Sequence, residues 1–332
     1  MKVAVLGAGA WGTALAMHVA NKCTVTLWAR DAGHISGMQK AQANPKYLGD
    51  FKFPKQLNLD DSLSNAINDA DIIISAVPTF AFRKILIDIK EINDNATIIW
   101  ANKGIEEETA KFPHEVAIDI LRTSESIERD FGVISGPSFA AELVRGLPTA
   151  VTIATTKEDS ANEVAKIFHH NNLRIYTSQD IIGVSVGGAL KNVIAIAAGI
   201  SDGMGFGNNA RAAIITRGLA EISRFGYALG ANLDTFGGLT GAGDLFLTCT
   251  GEYSRNREVG IRLSQGKKIH DILKGLGHVA EGVFTAKEVI NRGKQLNIDM
   301  PITQEVSNVI HNNKSPKLAV EDLLDRGLKT EY

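Results

Sequence analysis

The most constraining stretch stands at the start of the chain: Val3-Ala4-Val5-Leu6-Gly7-Ala8-Gly9-Ala10-Trp11-Gly12-Thr13-Ala14-Leu15-Ala16. An apolar run that suits a buried strand meets glycines at 7, 9 and 12 and then passes into a helix-forming segment. The three positions have separate tasks. Gly7 makes a tight turn, Gly9 lets a phosphate approach the backbone, and Gly12 lets the helix pack on the strand. The helix start adds N–H groups without intrahelical acceptors and the positive end of a dipole. A pyrophosphate-bearing dinucleotide is the expected ligand.

The rest of the chain divides in two. Strand patterns at Lys2–Leu6, Thr24–Trp28, Ile72–Ala76, Thr97–Ala101, Val133–Ser135, Ala150–Ala154 and Leu173–Tyr176 alternate with helical ones. Those helical patterns include Trp11–Asn21, Phe80–Glu91, Phe112–Leu121 and Lys157–His169. This alternation predicts an α/β fold, an N-terminal Rossmann-type doubly wound, mostly parallel sheet with helices on both faces. Past Asp180 the pattern becomes helical throughout, as in Ile182, Val186, Leu190, Ile194 and Ala197, and again in Ala210–Leu229. The expected organisation is a dinucleotide-binding domain over 1–180 and an all-α, substrate-binding and catalytic C-terminal domain over 181–332. A length of 332 residues also exceeds what one hydrophobic core usually serves. No Pro- or Ser-rich linker separates the halves, so close packing around a cleft is expected.

Charge excludes some partners. Lys plus Arg number 35 against 37 acids, a net charge of -2, and no local basic run stands out. Neither nucleic acid nor an anionic membrane is drawn by such a chain, and an anionic ligand needs a local site. Cys23 and Cys249 form neither a zinc-ligand spacing nor a disulfide framework, so no metal is expected and a reducing, cytoplasmic setting is. The opening strand pattern leaves no room for a signal peptide. The longest apolar run, Val184–Ile200, contains Lys191 and Asn192 and at 17 residues falls short of a bilayer span. Its helices nonetheless offer an apolar face suited to a homodimer.

The end of the second strand bears on cofactor choice. It reads Trp28-Ala29-Arg30-Asp31. An acid there serves the ribose 2′-hydroxyl of NAD, whereas an Arg suits the 2′-phosphate of NADP. Arg30 is the first polar residue beyond the strand, which favours NADPH; Asp31 keeps NAD open. Three further strand ends carry small or polar groups: Ser75-Ala76-Val77-Pro78, Asn102-Lys103-Gly104 and Ser135-Gly136-Pro137-Ser138. Carboxyl ends of strands in such sheets face the ligand crevice.

A second signal is Gly187-Gly188-Ala189-Leu190-Lys191-Asn192-Val193-Ile194-Ala195. A helix apolar nearly all round is a buried helix, and a lysine there needs a partner or a task. Burial lowers the pKa of such a lysine and a nearby carboxylate raises it again. The two glycines one turn earlier are expected to clear room for a ligand. A lysine snorkelling to the surface is the competing reading. Asp244, within Gly241-Ala242-Gly243-Asp244-Leu245 and followed by Thr248, is the candidate carboxylate. Ser254-Arg255-Asn256-Arg257 opens a helical pattern running to Leu263, with Ser254 as its N-cap. Arg255 and Asn256 then fall in a first turn suited to a phosphate; solvated surface charge is the plain alternative.

The ordered segments GAGAWGTALA (7–16), ANKG (101–104), ISGPSFAAE (134–142), GLPTA (146–150), GGALKNVIAIAAGISDG (187–203), ARAAIITRGLAE (210–221), LTGAGDLFLTC (239–249), SRNR (254–257) and VAEG (279–282) together carry a resemblance. The chain resembles the bacterial NAD(P)-dependent sn-glycerol-3-phosphate dehydrogenase family along essentially its whole length. The resemblance implies reversible, NAD(P)H-dependent reduction of dihydroxyacetone phosphate to sn-glycerol 3-phosphate, feeding phospholipid synthesis. It matches Lys191 to the catalytic lysine, and Lys103, Gly136, Ser138, Asp244, Ser254, Arg255 and Asn256 to substrate contacts. Ala10, Trp11, Arg30, Lys103, Ala140, Arg255, Val279 and Glu281 match cofactor contacts, beside Gly7, Gly9 and Gly12. Asn192 and Thr248 fall beside these as supporting residues. Ser138 replaces a Thr of some members, Ala10 a Ser, and Ala242 a larger apolar residue; none removes a group the reaction needs. In the mechanism this implies, Lys191, held by Asp244 and Asn192, protonates the ketone oxygen while Lys103 adds positive charge. Two other readings stay open: a β-hydroxyacid dehydrogenase of related architecture, and a non-catalytic NAD(P)-sensing protein.

Overall fold

The computed structural model describes residues 1–122, 129–276, 279–328 and 330. The chain forms two compact units, one of Met1–Lys103 with Lys111–Ser185, the other of Gly104–Ala110 with Val186–Tyr332.

The first unit is built on ten strands: β1 (Lys2–Leu6), β2 (Thr24–Trp28), β3 (Ala43–Asn44), β4 (Gly49–Lys52), β5 (Leu57–Asp60), β6 (Ile72–Ser75), β7 (Thr97–Trp100), β8 (Phe131–Ser135), β9 (Thr149–Thr155) and β10 (Leu173–Ser178). Eight of them make one sheet in the order β10-β9-β8-β7-β6-β1-β2-β5, and β3 pairs with β4 in a separate antiparallel ribbon. Every pairing in the large sheet is parallel except β8 with β9. Strand side chains alternate between faces. Val3, Val5, Ile72, Ile74 and Ile99 thus enter one apolar layer, while Ala4, Leu6, Ile73, Ile98 and Trp100 enter the other. Strands apolar on both sides are those of a sheet covered on both faces.

The seven strands expected from the sequence are present, with ends shifted by at most two residues. The β3–β4 ribbon and β5 were not anticipated. They are two to four residues long and polar enough (Ala43-Asn44, Gly49-Asp50-Phe51-Lys52, Leu57-Asn58-Leu59-Asp60) that no periodicity stands out. Chain order reverses between β1 and β6. There Gly7 follows β1 and lies so near Ala76 at the end of β6 that an added Cβ would sit 2.8 Å from the Ala76 carbonyl oxygen.

Among its described residues the second unit contains helices and no strand. It takes in the helix Ile181–Gly203 from Val186 onward, and the residues of that helix from Gly183 to Ile196 are all buried. At 23 residues this helix is long and apolar enough to cross a membrane, so the expectation that it is too short does not hold. Flanking residues outside the apolar core complete its length, and 89% of its apolar window is buried in the protein itself. Against it runs Arg255–Ser264, at a distance only glycine permits. A Cβ on Gly199 would meet the Arg257 carbonyl oxygen at 2.0 Å, and one on Gly260 the Ile196 oxygen at 2.1 Å. Elsewhere the buried carboxylate of Glu221, on Gly207–Ala228, accepts from the Ile302 and Thr303 amides and so caps Pro301–His311.

Candidate active site

The residues singled out above fall into two sets, one in each unit. In the first, the glycine turn is set by steric need at two positions and by none at the third. Gly7 has a φ of +111°, which side chains disfavour. A Cβ on Gly12 would lie 2.1 Å from the Gly7 oxygen, whereas one on Gly9 would meet nothing within 4 Å. The protein therefore leaves open the one place where a pyrophosphate is expected. Gly9 is also the N-cap of Ala10–Val19, and no side chain caps that helix. Its first N–H groups are accordingly available to an anion, and the residues present fit a dinucleotide. Trp11 packs half-buried against the apolar layer beneath the turn, and Ala10 beside it.

Past β2, Arg30 is exposed. Asp31 has another engagement: its side chain accepts the His34 amide at 3.1 Å as N-cap of Ala32–Ala41. The ends of β6, β7 and β8 meet through hydrogen bonds. Asn102 donates through Nδ2 to the Val77 carbonyl at 2.5 Å. Lys103 Nζ lies 3.5 Å from the Gly136 carbonyl, and Ser138 Oγ donates to the same oxygen at 3.0 Å. Gly136, at a φ of +142°, presses against Val151. Ala140 begins the short helix Ala140–Val144.

In the second unit Lys191 is buried, and its ammonium donates to the Asp244 carboxylate and, at 2.9 Å, to Thr248 Oγ1. Thr248 gives its own proton to the Asp244 carbonyl at 2.6 Å, so its lone pairs are turned to the lysine. The side chains of Lys191 and Asp244 are 8% and 2% exposed, which removes the snorkelling reading. A π-helical turn, Leu239–Gly243, delivers Asp244 to this place. Gly187 makes room for that turn: a Cβ there would lie 2.9 Å from the Thr240 oxygen. The space expected for a ligand beside Gly187 is thus filled by backbone, because the π-helical turn must come close for Asp244 to reach Lys191.

Ser254 caps Arg255–Ser264, accepting the Arg257 amide at 3.3 Å. Arg255 is exposed in the first turn, while Asn256 is buried and bonded inward. Asn256 Nδ2 donates to Asn192 Oδ1 at 2.9 Å, and its Oδ1 accepts the Gly282 amide at 3.1 Å. A Cβ on Gly282 would meet the Asn192 oxygen at 2.6 Å, so the helix Glu281–Gln295 starts directly on this pair. Val279 and Glu281 flank that start.

Two engagements had no signal in the sequence reading. Asp202 accepts Arg257 Nε at 2.7 Å and Arg211 at 3.1 Å, tying the second arginine of the SRNR segment into the fold. Asn44, fully buried on β3, reaches the glycine turn. Each joins residues distant in the chain, and no local spacing announces such a pair.

Comparison with known proteins follows this division. Residues 2–161 match the model of the NAD-dependent glycerol-3-phosphate dehydrogenase N-terminus, and residues 180–321 that of the C-terminus. A glycerol-3-phosphate dehydrogenase [NAD(P)+] of Methylobacillus flagellatus is 59% identical over 331 residues, covering 100% of this chain and 99% of the relative. The corresponding protein of Nitrosomonas eutropha is 48% identical over 326 residues, 98% of each chain. A crystal structure of glycerol-3-phosphate dehydrogenase from Coxiella burnetii superposes with a TM-score of 0.93 at 37% identity, covering 98% of this chain and 99% of that one. With both family models matched and relatives similar over their full length, the chain belongs to the NAD(P)-dependent glycerol-3-phosphate dehydrogenase family.

Proposed function

We propose that this chain catalyses the reversible reduction of dihydroxyacetone phosphate to sn-glycerol 3-phosphate with NADPH favoured over NADH, feeding glycerophospholipid synthesis. The observation that carries the reading is the buried Lys191 ammonium, locked to Asp244 and Thr248 on a largely apolar helix. A charge is kept in such a place at a cost, and proton transfer to a substrate oxygen gives it a task.

A bound reduced nicotinamide supplies the hydride that C2 of the ketone accepts. Gly7, Gly9, Gly12, Ala10 and Trp11 hold the pyrophosphate end through the turn and helix start. Arg30 meets the adenosine 2′-phosphate, a choice supported by the use of Asp31 as a helix cap. Ala140, Val279 and Glu281 complete the cofactor contacts. Lys191 Nζ gives a proton to the C2 oxygen as that oxygen gains charge, and recovers it in the oxidation direction. Asp244 and Thr248 hold the ammonium in one orientation. Asn192 acts at one remove, holding Asn256. Lys103, beside Gly136 and Ser138, adds positive charge toward the substrate oxygens. Ser254, Arg255 and Asn256 offer a helix start and a guanidinium to the phosphate, so remote binding energy orients the carbonyl. Arg255 is also assigned to the cofactor contacts by the family resemblance.

In this reading residues 1–180 bind the dinucleotide and 181–332 bind substrate and carry the acid–base group. The protein works in the cytoplasm, as a homodimer, on a small phosphorylated triose. Mixing the protein with NADPH and dihydroxyacetone phosphate is expected to lower absorbance at 340 nm. A flat trace with this ketone, but oxidation of NADPH by a β-keto acid, would overturn the substrate assignment. A flat trace with both would leave only a cofactor-binding role.

A further inference from the structure

The two-residue strand β3 lies outside every motif discussed above, yet it places a polar side chain directly on the glycine turn. Asn44 is 0% exposed. Its Nδ2 donates to the Ala8 carbonyl at 3.0 Å and to Thr13 Oγ1 at 2.8 Å. A carbonyl oxygen only accepts, so the Ala8 bond decides which end of the carboxamide is nitrogen. Both Nδ2 protons are used, while Asn44 Oδ1 is buried with no partner among the described residues. An unmet buried amide oxygen is costly, so packing alone explains this residue poorly.

Ala8 is the residue between Gly7 and Gly9. Its C=O and the N–H of Gly9 belong to one planar trans peptide and point in opposite directions. Drawing the Ala8 oxygen toward Asn44 therefore turns the Gly9 N–H the other way. Among the described residues nothing accepts that N–H, and a Cβ on Gly9 would meet nothing within 4 Å. The donor is aimed before any ligand arrives, which removes an orientational cost from binding.

We propose that Asn44 is a positioning residue for the cofactor: it orients the Ala8–Gly9 peptide so that the Gly9 N–H is presented to a pyrophosphate oxygen. The β3–β4 ribbon holds Asn44 in place through its pairing with Gly49. The proposal rests on the dinucleotide reading of the turn and is independent of the substrate.

The test is a fluorescence titration of NADPH against four proteins: wild type, Asn44→Ala, the near-isosteric Asn44→Asp, and Thr13→Val, which keeps the Ala8 bond. Both Asn44 variants are expected to raise the NADPH Kd on the order of tenfold, with kcat at saturating NADPH within about twofold of wild type. Thr13→Val should keep its Kd within about twofold. Adenosine 2′-phosphate, which lacks a pyrophosphate, should inhibit wild type and Asn44→Ala alike. A wild-type NADPH Kd in Asn44→Ala, or equal losses for NADPH and adenosine 2′-phosphate, overturns the proposal. Should neither Asn44 variant fold, the amide resonance of Gly9 in wild-type protein decides: it should move downfield on NADPH binding, and a static signal overturns the assignment. Failure to reduce dihydroxyacetone phosphate would sink the catalytic reading while leaving these titrations interpretable.

Discussion

The glycine turn and the Lys191 network solve opposite problems. At the turn the protein withholds side chains: Gly9 faces open space, and the groups on offer are backbone amides at a helix start. Around Lys191 it does the reverse, crowding ammonium, carboxylate and hydroxyl into a buried place where each satisfies another. One region binds by what it leaves out and depends on backbone direction. The other depends on side-chain partners that come from separate helices. A ligand's phosphates can be met by the first arrangement, whereas a proton can be moved only by the second.

That contrast is open to attack, most strongly at the lysine. Lys191→Ala should lower the rate of dihydroxyacetone phosphate reduction by about 10²–10⁴ while leaving NADPH binding intact; steady-state rates and a cofactor titration check both. Near-normal turnover would place the acid–base group elsewhere. Next comes Arg255→Ala, expected to raise the substrate KM by about 10- to 100-fold, since hydrogen bonds to charged groups contribute about 1.5–3 kcal/mol each. An unchanged KM would remove the phosphate role from the helix start at Ser254.

The turn makes its own forecast. Gly9→Ala should fold with an unaltered melting temperature yet bind NADPH about tenfold more weakly, because the new methyl meets only ligand. Gly12→Ala should instead lose stability, its Cβ being 2.1 Å from the Gly7 oxygen. Equal behaviour of the two variants would break the distinction between a ligand-facing and a packing glycine. A smaller effect is expected at Arg30→Ala: the ratio of NADPH to NADH Michaelis constants should move several-fold toward unity. A ratio already at unity, and unmoved, would favour NAD.

The helix that begins at the turn carries a buried histidine near its far end. There His18 Nε2 donates to the Phe168 carbonyl at 2.8 Å, and the ring stacks on His170 with centroids 4.0 Å apart. Burial pushes the His18 pKa down from 6.5 to about 4. A carbonyl can only accept, so neutral His18 carries its proton on Nε2. The unfolded chain takes up a proton near pH 6.5 and the folded one near 4, so stability is fully present above 6.5 and falls as pH drops between these values. Up to about 3 kcal/mol is at stake. Thermal unfolding from pH 7 to 4 should show a loss that His18→Gln reduces. The same acid slope in that variant would assign it to other groups.

How much was legible depends on whether the signal was local. Lys2–Leu6 and Thr24–Trp28 could be read to the residue because an apolar run bounded by polar ones is a property of neighbours. The helices of the second unit were legible for the same reason, and Ser254 announced its cap by position and chemistry. The β3–β4 ribbon was not legible, since so few polar residues carry no period. Gly187 was misjudged because its neighbour across space, Thr240, lies 53 residues on. The membrane question turned on burial, which length could not decide.

By itself the sequence determined the strand–turn–helix start and the change from alternating to helical pattern near Asp180. These follow from covalent order and from the periods of strand and helix. Only the tertiary structure decided that Asp244 and Thr248 hold Lys191, that Asp202 claims Arg257, that Asp31 caps a helix, and that Asn44 turns the peptide of the glycine loop. Hydrogen bonds between side chains depend on distances of about 3 Å. Such distances are set by packing of remote segments, which residue order constrains without stating.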